Sequence, residues 1–286
     1  MCISAAPATF SATKIYVGEA NLNNKYIHVI AYQNAAQSRY AEEPNAMILP
    51  FPTKTSMNEQ NIINTSLFKS FLSDITNSTK ISSRSLSSRS LMDYKDALVF
   101  DSGSYTVVLA DHVRQIPKAL EKVSSDKRPT LPYRLLAGFG KLYPDQPIAL
   151  CCWKGGVEAE PLLWWYEPKD KDSLFIPTMD AHDGNSPNLE AVVETDHIVS
   201  IGSSLLKDTY SRMYNRVDYS GHIPGHIKQI LPNYVYGARL PQLMKNGDLF
   251  IKIADLRSAD RANIPEIKRG TDSSNTFAKV AMRGWH

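Results

Sequence analysis

Lys25-Tyr-Ile-His-Val-Ile-Ala-Tyr-Gln-Asn34 and, beyond a polar loop, Asn45-Ala-Met-Ile-Leu-Pro-Phe-Pro52 form the stretch from which the fold is read. Alternation sends Tyr26, His28, Ile30 and Tyr32 to one side of a strand and Ile27, Val29 and Ala31 to the other. Both sides are β-branched or aromatic, which predicts a central strand covered on both faces. Met47-Ile48-Leu49 reads as a shorter strand closed by Pro50 and Pro52, because proline cannot donate to a sheet ladder and restricts the residue before it. Upstream, Thr13–Gly18 is strand-like and Asn21–Asn24 is a turn, so the two strands are expected to form a hairpin.

Downstream, Ser56 and Glu59 have capping-box spacing. Ile62, Ile63, Leu67, Phe68, Phe71, Leu72 and Ile75 recur at helical spacing, predicting a helix over 58–75 with Leu67 on its buried stripe. Residues 77–92 are rich in serine and poor in large apolar side chains, so they are expected to be a mobile surface insertion. Strands are predicted at 97–100 and 105–110 around the Asp101-Ser-Gly103 turn. Helices follow over 111–123, with Pro117 inside, and over 131–143, opened by Pro132 and stopped before Pro144. The second half is mostly β, at 147–153, 160–166, 173–177, 191–201 and 249–253, with short helices near Tyr210 and over 227–230. Past Asp255 the hydrophobic period fades. The expected fold class is α+β: one domain over 1–255, with about ten strands, four to six helices and a mixed or largely antiparallel sheet. Residues 256–286 are expected to be an extended or disordered basic tail.

Hydrophobic residues make up 43% of the 286-residue chain and charged residues 21%, enough apolar content for one large core. No apolar run has the length of a membrane span, and the N-terminus lacks a signal-peptide pattern, so a cytoplasmic protein with no membrane partner is expected. Cys151 and Cys152 are adjacent on a predicted strand and Cys2 is near the terminus, which argues against a disulfide framework. The net charge is +3. Residues 76–92 hold Lys80, Arg84 and Arg89 without an acid, and Arg257–His286 holds six Lys/Arg against Asp260, Glu266 and Asp272. No folded face collects the many cations and stacking aromatics that nucleic-acid binding requires, so nucleic acid is not an expected partner.

Tyr32-Gln-Asn34, Met47-Ile-Leu-Pro-Phe-Pro52, the helix after it, Tyr105-Thr-Val-Val-Leu109, the 111–123 helix and Phe175-Ile-Pro177 together resemble an uncharacterised bacterial family of unknown function. Its members are usually secreted and begin near a cysteine. The resemblance spans about 2–201 and implies a fold, not an activity. The N-terminus is also faintly similar to choloylglycine hydrolase-type N-terminal-nucleophile enzymes. Here Glu19 stands where those enzymes carry an arginine, and their aspartate is missing.

Candidate chemistry is sparse. Removal of Met1 would make Cys2 the N-terminus, where its α-amine could act as base for its own thiol. Asn34, at the end of the predicted central strand, is the candidate oxyanion donor. Asp180, His182 and Asp183, with Glu194, Asp196 and His197 following, offer carboxylate and imidazole ligands for a divalent metal, although an Asp/Gly/Asn-rich loop is equally an ordinary turn. His222 and His226 are separated by Pro224-Gly225, which reads as loop. Cys151-Cys152-Trp153 and Trp164-Trp165 read as core. There is no Gly-rich phosphate loop, Cys-x-x-Cys pair or Gly-x-Ser-x-Gly elbow, and no cofactor is expected. Two functions compete: a non-catalytic binding or assembly protein of the bacterial cytoplasm, using the 256–286 tail to reach an acidic partner or another copy, and a Cys2 amidohydrolase or amidotransferase acting on a small amide.

Overall fold

Asn23 and Asn24 take left-handed backbone conformations, with φ of 50° and 63°, giving the two-residue turn whose twist suits a hairpin. The computed structural model describes residues 3–40, 42–79, 98–158, 160–195, 197–205, 214–241, 243–259 and 265–280. In chain order the first strands are β1 (Ile3–Ser4), β2 (Ala8–Leu22), β3 (Lys25–Ser38), β4 (Pro44–Pro50), β5 (Ile62–Ile63), β6 (Leu98–Ser102), β7 (Tyr105–Ala110), β8 (Ile148–Lys154), β9 (Gly156–Glu158) and β10 (Leu162–Tyr166). They are followed by β11 (Ser173–Ile176), β12 (Val192–Glu194), β13 (His197–Ser203), β14 (Asn215–Arg216), β15 (Tyr234–Arg239), β16 (Leu243–Lys245), β17 (Asp248–Lys252), β18 (Ile267–Gly270) and β19 (Thr276–Val280). The helices are α1 (Phe71–Ser78), α2 (Ile116–Leu120), α3 (Tyr133–Leu142), α4 (Gly225–Lys228) and α5 (Ile253–Arg257).

One sheet runs β1-β4-β8-β7-β6, and a second runs β14-β15-β13-β2-β3-β10-β5 with β9 also on β3. A third runs β11-β17-β18-β19, and β12 pairs with β16 as a separate ribbon. Among the described residues, the strand pairs are antiparallel apart from that of β13 with β2. This is an α+β domain with few helices and largely antiparallel sheets, as the sequence predicts.

Strand β3 is central, flanked by β2 and β10. Ile30 and Tyr32 enter a core shared with Met47 and Leu49 of β4, Val107 of β7, Cys151 and Trp153 of β8 and Leu249 of β17. Ile27, Val29 and Ala31 face the other way, onto Phe71, Leu72 and Ile75 of α1 and Ile227 of α4. The outer face of the first sheet, with Ile48, Leu150 and Cys152, is covered by Ile116 and Leu120 of α2 and Leu135 and Phe139 of α3. The neighbouring cysteines therefore point into different cores, as strand alternation requires.

Several expectations are corrected. The 58–75 helix survives only from Phe71. Ahead of it, Asn58 caps a single 3-10 turn over Glu59–Asn61, with Asn61 completing the box in place of Ser56 and Glu59. Ile62 and Ile63 then pair with Trp164 and Leu163 at the edge of the second sheet, where β-branched side chains suit a pleated surface better than a helix. Leu67 is 77% exposed. Leu67→Asp is accordingly expected to change stability by no more than about 0.5 kcal/mol, which thermal melting against the parent would check. The 111–123 helix shortens to a 3-10 turn and α2, with Pro117 in its first turn. Beyond Asp255 the chain is not a loose tail over 267–280, because β18 and β19 extend the third sheet from β17. Residues 80–92 of the Ser-rich segment and the helix near Tyr210 lie outside the described residues; Asn77 and Ser78 end α1. No helix among the described residues is long and apolar enough to cross a membrane.

Candidate functional site

Cys2 lies outside the described residues. Asn34 does not end a strand, because β3 continues to Ser38. It is buried between the first two sheets, where its Oδ1 accepts from the Tyr105 hydroxyl at 2.9 Å and its Nδ2 is 3.4 Å from Met47 Sδ. Its amide serves to tie β3 to β7 and β4. Cys151 and Cys152 are free and buried, and burial pushes the Cys152 thiol up to about 12. A thiol held protonated in this way is a poor nucleophile.

The acidic-histidine loop is built into the scaffold. Asp180 Oδ1 lies 2.8 Å from His182 Nε2, and the His182 ring tilts against Phe10 at 4.9 Å. Ser4 and Ala8 donate their backbone N–H groups to the Ala181 and His182 carbonyls, and Asp180 N–H donates to Asn246 Oδ1. Asp183 accepts from the backbone and side chain of Asn185. Burial alone would raise its carboxyl, but these hydrogen bonds and the nearby His182 hold it below its usual range. His197 is buried in β13 opposite Thr13 of β2. Glu194 ends β12 and Asp196 is outside the described residues. Among the described residues no three His, Cys, Asp or Glu side chains are grouped to hold a metal ion. The loop thus joins Asp180 to His182 while Asp183 closes its own turn. His222 and His226 are exposed, the latter within α4.

The described cations of the C-terminal segment are engaged within the chain. Arg257 grips Glu19 through Nε and Nη2 at 3.0 and 2.6 Å. Lys268 and Lys279 both reach Glu266, at 3.3 and 2.8 Å. Arg269 is buried and donates to the Lys245 carbonyl at 2.6 Å.

Beside this segment, the β12–β16 ribbon exposes large apolar side chains. In the β12–β16 ribbon, Val193 and Met244 face each other across the strands and pack on the core. Alternation turns Val192, Glu194, Leu243 and Lys245 to the opposite face. Val192 is 66% and Leu243 60% exposed. Lys245 reaches back to Glu190 at 3.0 Å and lies 5.1 Å from the ring centre of Phe277 on β19. Phe277, 39% exposed, continues the face onto the last strand of the third sheet. Sequence reading missed this face because it took 191–201 as one strand and 256–286 as a tail. The period-2 pattern of Thr276-Phe-Ala-Lys-Val280 is the signal that could have found β19.

No family model and no curated protein matches the chain. Among solved structures it is similar to baculovirus P35, at 12% identity and a TM-score of 0.40, over 88% of this chain and 91% of that one. So remote a likeness transfers no property to the present chain.

Proposed function

We propose that this protein is a non-catalytic binding or assembly protein, and that it meets another polypeptide through the outer face of β12, β16 and β19. The observation that carries the reading is that Val192 and Leu243 stand in solvent on one face of the β12–β16 ribbon, with exposed Phe277 of β19 linked to that face through Lys245. Scattered exposed apolar residues need no explanation, whereas an apolar face with a charged rim is a usual feature of contact surfaces. Lys245 and Glu194 stand across the strands from Val192 and Leu243, and Glu190 pairs with Lys245. Lys279 on the terminal strand works against open-ended strand pairing, so side chains rather than edge hydrogen bonds would make the contact. The tail remains part of the reading through Phe277 rather than through its charge, since its described cations are paired within the chain. Free buried thiols suit a reducing, cytoplasmic setting.

The triple variant Val192→Glu, Leu243→Glu, Phe277→Ser tests this. It is expected to melt with the parent, since exposed substitutions seldom move stability by more than about 0.5 kcal/mol each. It should also lose the association that the parent shows in sedimentation velocity, with itself or with a polypeptide co-purified from its source. A parent that stays monomeric and recovers no polypeptide that the variant fails to recover would end the proposal.

A further inference from the structure

The second and third sheets, with the loops after β4 and α3, line a cavity of about 290 Å³, near the lower bound for small-molecule sites. Its apolar walls include Phe175 of β11 and Phe250 of β17, whose ring centres are 5.8 Å apart. Two of its lining residues carry a buried side-chain atom with no hydrogen-bond partner among the described residues: Nε2 of His28 and Oε1 of Gln146. His28 is only 2% exposed, held edge-on between Tyr26 and Tyr166. Folded proteins satisfy the great majority of buried polar atoms, so two orphans on residues lining one cavity call for a ligand that completes them.

The electrostatics narrow that ligand. Burial drives the imidazole down to about 3, so His28 is neutral at physiological pH and can either give or accept a hydrogen bond. Gln146 Oε1 can only accept. Asp170 and Asp272 stand at the rim. Burial raises each carboxyl, but hydrogen bonds from Asp172, Ser273 and Ser173 to the first, and from Ser274 and Asn275 to the second, outweigh it and keep both ionised. Lys169 is the cation among the lining residues. Such a rim disfavours an anion and favours a neutral or cationic N–H donor.

We propose that this cleft binds a small planar nitrogen heterocycle, neutral or singly protonated, whose N–H groups complete Gln146 and His28 while its ring packs against the Phe175 and Phe250 wall. The full chain would be titrated with 2-aminobenzimidazole by isothermal calorimetry, with benzoate as the anionic comparison. Binding with a Kd of about 1 mM or tighter is expected. Benzoate should bind at least about tenfold more weakly, and Gln146→Leu and His28→Phe should each weaken 2-aminobenzimidazole by about tenfold. Gln146 is half-buried on a loop, so its variant should fold like the parent and decides the matter even if His28→Phe does not. No saturable binding, equal binding of benzoate, or unchanged affinity in Gln146→Leu would each overturn the proposal.

Discussion

Asp248→Ala is expected to destabilise the folded chain by about 4 kcal/mol or more, the range reached when a buried hydrogen-bond network is broken. Asp248 is fully buried at the start of β17. Its Oδ1 accepts from the backbone N–H groups of Thr178 and Met179 at 2.8 and 2.9 Å, and its Oδ2 from the Tyr143 hydroxyl at 2.6 Å. One carboxyl thus joins the third sheet, the end of α3 and the start of the Asp180 loop. Alanine would leave three buried donors without an acceptor and remove the charge that favours the buried Arg269 guanidinium. Asp248→Asn keeps an oxygen for the two backbone donors and an amide for Tyr143, so it is expected to cost no more than about 1 kcal/mol at pH 7.

The same residue sets a pH dependence. Burial raises the Asp248 carboxyl to about 6, against the lowering effects of Tyr143, Thr178, Met179 and Arg269. Between its unfolded value near 4 and about 6, the folded chain holds a proton that the unfolded chain has released. The contribution is therefore fully present below pH 4, lost as pH rises to 6, and constant above. The stability of the parent relative to Asp248→Asn should fall over that window. Urea unfolding at a series of pH values reads it, and a parent that gains on the variant as pH rises would refute the assignment.

Why some of this was legible and some not follows from how far each feature depends on distant residues. Strand β3 announces itself because its two faces meet two different cores, and each leaves its own period-2 trace. The turn at Asn23-Asn24 and the start of α3 after Pro132 are equally local, fixed by backbone preferences of the residues themselves. Ile62-Ile63 misled because their spacing suits a helix, while the edge offered by Leu163 and Trp164, a hundred residues away, decides otherwise. Strand β18 was hidden because it buries Arg269, and the Asp248 charge that makes this tolerable is invisible to local composition. Asn34 was chosen as a strand end when it is a strand interior. The outer face joins Val192, Leu243 and Phe277, whose exposure depends on which elements leave them uncovered. Periodicity placed His28 in a core strand, but no pattern reports whether its Nε2 finds a partner.

Arg257→Ala is expected to cost about 3 kcal/mol, the lower end for breaking a buried ion pair, because the loss falls on Glu19. The Glu19 side chain is wholly buried and that of Arg257 is 48% exposed. Removing the guanidinium leaves a carboxylate in the interior whose remaining side-chain hydrogen bond, among the described residues, comes from Tyr26 at 2.8 Å. Solvent screening at the arginine end is the reason for choosing the lower figure. The pair also fastens α5, and through it the approach to β18, onto β2, so the variant should open the C-terminal strands earlier than the rest of the protein. Glu19→Gln removes the charge that needs the partner and should cost only about 1–2 kcal/mol through its weaker hydrogen bonds. Adding Glu19→Gln to Arg257→Ala should then recover part of the loss, a coupling that a double-mutant cycle in urea measures directly. Additive losses, or an Arg257→Ala variant within about 1 kcal/mol of the parent, would mean that water reaches Glu19 and that the C-terminal segment is not held by this pair.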